Sequence, residues 1–183
     1  VKEVYHLEGG ILKYLEEDNT ADDQLVWVID GMDVIWVRDM ASQSVADTFT
    51  TLTAGNSNGV VMNGECSCSH EVNLNCNVMK NEFSAGPYSF LNNGQYIGRA
   101  GTLRIFLKGI VAVFQQASDS DKDPRTDQQL MSSFCFGNPA VGNSGTVPAH
   151  SVGVKCVIDE RAQLSVSASS VEDPESGLYP CAS

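Results

Sequence analysis

Two acids three positions apart, Asp30 and Asp33, follow the apolar run Leu25-Val26-Trp27-Val28-Ile29. Carboxylates are hard oxygen donors, and a pair of them at one strand end suits Mg²⁺ or Mn²⁺. The run before them is rich in β-branched and aromatic residues, the pattern of a strand buried on both faces. Acids at the carboxyl end of such a strand stand at the rim where open α/β sheets take their ligands. The same residues also suit a plain strand-ending turn, with Asp30 accepting from backbone amides and Gly31 easing the bend.

Six cysteines occur, at 66, 68, 76, 135, 156 and 181. Cys66-Ser67-Cys68-Ser69-His70 with Cys76 has the residue types of a zinc site, but structural zinc sites usually use wider Cys pairs. A disulfide-pinned loop or free thiols is the simpler expectation, and an even cysteine count suits a secretory-pathway or extracellular protein. His6, His70 and His150 read as surface or loop residues.

The elements that must position these groups alternate between the two periods. Val4, Ile11, Leu12 and Leu15 give a partial helical stripe, and an acidic turn over 16 to 23 leads to the strand from Leu25 to Ile29. Val45, Phe49 and Leu52 form a second stripe with Gly55 as its stop. A short strand from Gly59 to Met62 should end in an Asn63-Gly64 turn. Residues 64 to 89, polar and rich in Cys, Asn and Ser, read as a long loop. Asn92-Asn93-Gly94 reads locally as a tight turn feeding a strand. The clearest helix has Thr102 as N-cap and Leu103, Phe106, Leu107, Ile110, Val111 and Phe114 on one face. Asp127 opens a shorter helix carrying Leu130, Met131 and Phe134, and an acid there is favoured by the helix dipole. Val152, Val154, Cys156 and Ile158 alternate as a strand, and the tail from Ser165 has no strong period. Strands alternating with helices imply an α/β sandwich.

Length and charge bound the function. The 183 residues, 42% of them hydrophobic, suit a single domain with a sizeable core. A net charge of -12 with only 11 basic residues argues against a nucleic-acid surface or an anionic-membrane footprint. A diphosphate ligand would need a metal to offset the repulsion. No apolar run reaches the roughly 18 residues that span a bilayer. The chain opens at Val1, a start that suits a processed, trimmed or incompletely read polypeptide.

Several segments in order resemble a known family. Asp30-Gly31-Met32-Asp33-Val34-Ile35, Val60-Val61-Met62, Phe90-Leu91-Asn92-Asn93-Gly94-Gln95-Tyr96-Ile97-Gly98, Asp127-Gln128-Gln129-Leu130 and Ile158-Asp159-Glu160-Arg161-Ala162-Gln163-Leu164 are similar to the glycosyltransferase domain of procollagen lysyl hydroxylases and related collagen-type glycosyltransferases. The resemblance covers residues 9 to 167. It implies a GT-A-like (Rossmann-type) mixed sheet flanked by helices, incomplete at both ends, because the strands that hold the base and a further His-Gly metal segment have no counterpart. The implied activity is transfer of a sugar from a UDP-sugar to a hydroxyl acceptor, such as one on a protein, with Mn²⁺ or Mg²⁺ as cofactor.

The resemblance also assigns roles. Asp30 and Asp33 match the metal pair, Asn92, Asn93 and Gly94 match the segment lining the donor and acceptor pocket, and Asp127 and Gln128 match the acidic segment beside the transferred sugar. Met32 stands where the family usually has an aromatic residue stacked on uracil. Arg125 and Thr126 stand where further acids are common. These departures keep open a non-catalytic structural or binding component of a larger lumenal or extracellular assembly. Separately, residues 4 to 17 resemble the final helix region of rhodanese-type sulfurtransferase domains, whose nucleophilic cysteine loop would lie upstream of Val1.

Overall fold

The computed structural model describes residues 2–29, 42–66, 68, 76–82, 86–116, 127–136 and 149–164. Among these, five helices and four strands occur in chain order: α1 (Lys2–Glu17), β1 (Leu25–Ile29), α2 (Ser42–Leu52), β2 (Gly59–Glu65), α3 (Cys76–Glu82), β3 (Phe90–Arg99), α4 (Ala100–Gln116), α5 (Asp127–Phe136) and β4 (Lys155–Asp159). The result is a mixed α/β architecture in which an open four-stranded sheet is flanked by helices.

The sheet order is β1-β3-β2-β4. β3 pairs antiparallel with both β1 and β2, so β1 and β2 run the same way, and β4 joins β2 in parallel. Three strands therefore finish on one rim, at Ile29, Glu65 and Asp159, and β3 begins there at Phe90, paired with Glu65.

Successive side chains along a strand point to opposite faces. Val60, Met62, Leu91, Tyr96 and Ile158 pack with Leu15, Leu103, Phe106, Leu107, Ile110, Leu130, Met131 and Phe134 from α1, α4 and α5. Val61, Ile97 and Val157 turn the other way and meet Phe49, Val45 and Leu52 of α2, with Trp27, Leu25 and Leu164 around them. The apolar stripe of α4 feeds the larger core: Leu103, Phe106, Leu107 and Ile110 are fully buried, and the Phe106 ring sits 5.8 Å from both Tyr96 and Phe134.

Arg104 fastens α1 to α4. Its Nη2 donates to Leu15 O and Thr20 O, both at 2.6 Å, and its Nη1 donates to Asp22 Oδ1 at 2.5 Å. The acceptors lie in and just beyond the last turn of α1, where carbonyls lack helical partners.

Several local expectations change. The strand from Leu25 to Ile29 is half-buried at every position and ends the sheet order among the described residues, because β3 covers only one of its edges. The strand expected to stop at Met62 continues through Asn63 and Gly64 to Glu65. Gly64 belongs there because a side-chain carbon would lie 2.5 Å from Tyr88 O and 2.9 Å from Asp159 O. Part of the expected loop over 64 to 89 is helix α3, whose Met79 enters the core. Thr102 is not an N-cap: α4 already begins at Ala100, and the Thr102 hydroxyl donates to Ser57 O at 3.3 Å. Val152 lies in a 3₁₀ turn over Ala149–Val152 and is exposed, so the last strand starts later than its alternation implied. Gly55 does stop α2. Its φ of 74° is one that glycine adopts freely, and its amide donates to Thr50 O at 2.8 Å to close the helix end.

Two disulfides pin these elements. Cys68–Cys76 closes the segment between β2 and α3, and Cys135–Cys156 ties α5 to β4. Cys66 is disulfide-bonded as well, so the described thiols serve as cross-links.

Candidate functional site

At the rim where β1, β2 and β4 end, three side chains from three elements converge. Glu65 closes β2 and is 8% exposed. Gln128, in the first turn of α5, donates from Nε2 to Glu65 Oε1 at 2.7 Å and to Leu91 O at 2.6 Å. Asn92 of β3 donates from Nδ2 to Glu65 Oε2 at 3.2 Å, while its Oδ1 accepts from the Gly94 amide at 3.0 Å. β1 pairs with β3 only over residues 95–99. Leu91 thus lies beyond that pairing, and Gln128 takes its carbonyl.

The backbone of β3 makes this convergence possible. Tyr96 pairs with Met62 and Asn92 with Asn63, so residues 93–95 have no counterpart on β2 and form a bulge. Bulges re-aim side chains beside functional sites. The Asn-Gly pair expected to make a tight turn instead lies inside a ten-residue strand. The Asn92 side chain fixes the bulge by accepting from the amide two residues on, as Asn does in Asx turns.

Burial raises the affinity of the Glu65 carboxyl for its proton, and the two amide donors from Asn92 and Gln128 oppose that only in part. A shallow recess beside the end of β4 is lined by Trp27, Asn63, Gln95, Asp159 and Leu164 among others. The Asp159 carboxylate there accepts from the Gln163 and Leu164 amides at 2.9 and 2.6 Å, which folds the chain back over the end of β4.

The residues expected from sequence fall into two groups. Asn92 and Gln128 come together on one carboxylate, and Asn93 and Gly94 lie in the adjoining bulge. Asp127 opens α5 beside Gln128, although its side chain lies outside the described set. Asp30, Met32 and Asp33 also lie outside the described residues; β1 leads the chain to the rim at Ile29, immediately before Asp30. Among the described residues no group of three His, Cys, Asp or Glu side chains is arranged to hold a metal ion. Glu65 and Asp159 already accept from amides.

Glu65 is the residue that sequence reasoning missed. Placing a turn at Asn63-Gly64 cut it off from its strand. The available signal was its isolation, as the one acid between Asp47 and Glu71.

Compared with protein-family models and with curated proteins, the chain matches none.

Proposed function

We propose that the chain is a metal-dependent glycosyltransferase of GT-A-like architecture, which moves a sugar from a UDP-sugar to a hydroxyl acceptor. One observation carries the reading: Asn92 and Gln128, drawn from separate segments of the family resemblance, meet on Glu65 at the rim where β2 ends, and β1 finishes at Ile29, one residue before Asp30 in sequence. Asp30 and Asp33 would hold Mn²⁺ or Mg²⁺ there. Such a cation, when bound, offsets charge on a diphosphate leaving group. Met32, beside the second acid, offers uracil an apolar contact in place of an aromatic stack.

The chain's own residues then divide the remaining work. Asn93 and Gly94 border the donor and acceptor pocket. Asp127, at the start of α5, orients or deprotonates the acceptor hydroxyl. Both hydrogens of Gln128 Nε2 are engaged within the protein, so Gln128 supports the site through Glu65 and the Leu91 carbonyl. The disulfides fit a secreted or lumenal protein. Among the described residues no helix is long and apolar enough to cross a membrane.

Calorimetry with UDP and Mn²⁺, beside a sugar-release assay, tests the reading. Asp30→Asn and Asp33→Asn should lose metal-dependent UDP binding. Asp127→Asn should keep binding and lose turnover, because it acts on the sugar and acceptor side. Wild-type protein that binds no UDP with Mn²⁺ would leave a structural or binding component of a larger assembly.

A further inference from the structure

We propose that Glu65 is a positioning residue: its ionised carboxylate holds the β3 bulge and the first turn of α5 in one arrangement, and protonation loosens that hold. Each of the two amide side chains can face only one way. The Gly94 backbone N–H can only donate, so Asn92 presents Oδ1 to it and turns Nδ2 toward Glu65. Leu91 O can only accept, so Gln128 presents Nε2 to it, and the second hydrogen of that nitrogen points at Glu65. Backbone groups thus fix both amides with donors aimed at the two carboxylate oxygens.

An ionised carboxylate accepts at both oxygens and satisfies this arrangement, with charge-assisted bonds on each side. A protonated carboxyl carries an O–H that competes with one of the donors. A glutamine in its place sets an NH₂ group against one of the two amides. Glu65 is therefore the member through which a proton reaches the Asn92–Gly94 contact, and through it the bulge.

Neighbouring charges do not replace this control among the described residues. β3 faces Glu65 with the neutral Asn92, and its Arg99 lies at the opposite end of the strand. α5 faces it with the neutral Gln128, preceded by Asp127. On α3, Lys80 and Glu82 are exposed, and on β4 Lys155 is exposed while Asp159 is bonded to its own loop. Burial and the two amides set the proton affinity of Glu65, and burial prevails, which moves its titration upward from 4.5 toward neutral pH.

The proposal deepens the glycosyltransferase reading and rests on it only in supposing that the held segment meets substrate. Amide NMR of the wild-type protein between about pH 4 and about pH 7 tests it without any substrate. The Gly94 backbone amide and the Asn92 and Gln128 side-chain amides should titrate together, with one midpoint above 4.5. Hydrogen-exchange protection at Gly94 should fall about tenfold on the acid side, the loss of one modest hydrogen bond. Glu65→Gln should abolish the shared titration and leave Gly94 weakly protected throughout. A Gly94 signal that does not titrate with the side-chain amides in the wild-type protein overturns the proposal, and that measurement stands even if the variant does not fold. A shared midpoint upholds it whether or not a UDP-sugar is turned over, so failure of the transferase reading is a separate result.

Discussion

Gly109 of α4 lies directly against the ring of Phe134 of α5, with no room between them for a side-chain carbon. Alanine would favour the helix by about 1 kcal/mol over glycine, yet overpacking a core costs about 1–3 kcal/mol. Gly109→Ala should therefore lower stability by up to about 2 kcal/mol. The check is the urea midpoint, with the slope unchanged. Combining it with Phe134→Leu should recover part of the loss, since the two positions share one contact.

Arg104 should matter through its carbonyl acceptors more than through its ion pair. The Asp22 side chain is 87% exposed, so Asp22→Asn should cost less than about 1 kcal/mol. Arg104→Met strips Leu15 O and Thr20 O of a charged donor and should cost about 2 kcal/mol. Arg104→Lys should restore little, because an ammonium cannot span the same fork of acceptors. Equal losses in the Asp22 and Arg104 variants would contradict this division.

Ser132 presents the reverse case. Its hydroxyl is buried on α5 with no hydrogen-bond partner among the described residues. Removing an unsatisfied polar group from a core removes a desolvation cost, so Ser132→Ala should be neutral or stabilising by up to about 1 kcal/mol. Thermal unfolding of the variant decides the sign, and a clear loss of stability would reveal a partner for the hydroxyl.

The raised proton affinity of Glu65 makes stability depend on pH in a defined direction. Between the unfolded value near 4.5 and the higher folded value, the native state binds more protons than the unfolded state. Stability against global unfolding from this group is greatest below that window and falls as pH rises through it, because burial penalises the carboxylate by more than the two amides return, although the amide contacts themselves are tighter to the ionised form. Glu65→Gln should flatten the profile there. Urea midpoints of both proteins across the window test the sign, and a wild-type profile that instead rises relative to the variant would refute it.

Much of the framework was legible because helices and strands differ in period. The α4 stripe from Leu103 to Ile110 was readable from spacing alone, whereas Val111 is half-buried and the Phe114 side chain lies outside the described residues; the burial of Leu130, Met131 and Phe134 in α5 was readable too, since burying one face leaves a regular trace. Strand ends were less legible. Gly64 looks like turn chemistry in sequence, but its smallness serves the close approach of Tyr88 and Asp159 from distant segments. The bulge in β3 was hidden for the same reason, as it exists only relative to β2. Of the site, Asn92 and Gln128 were identified by resemblance, whereas the carboxylate that unites them depends on a register no local pattern encodes. Trp27 shows the limit of apolar runs: its strand looks central by composition and is only half-buried beside β3.

The Cys135–Cys156 bond has a consequence for proteolysis. A single cut in the backbone anywhere between residues 136 and 155 would leave two pieces still covalently joined, one ending beyond α5 and the other beginning before β4. Such a nicked molecule would gain only the mass of one water and migrate as a single species until reduced. α5, with Gln128 at its start, would keep its covalent tie to the strand neighbouring β2 through sulfur.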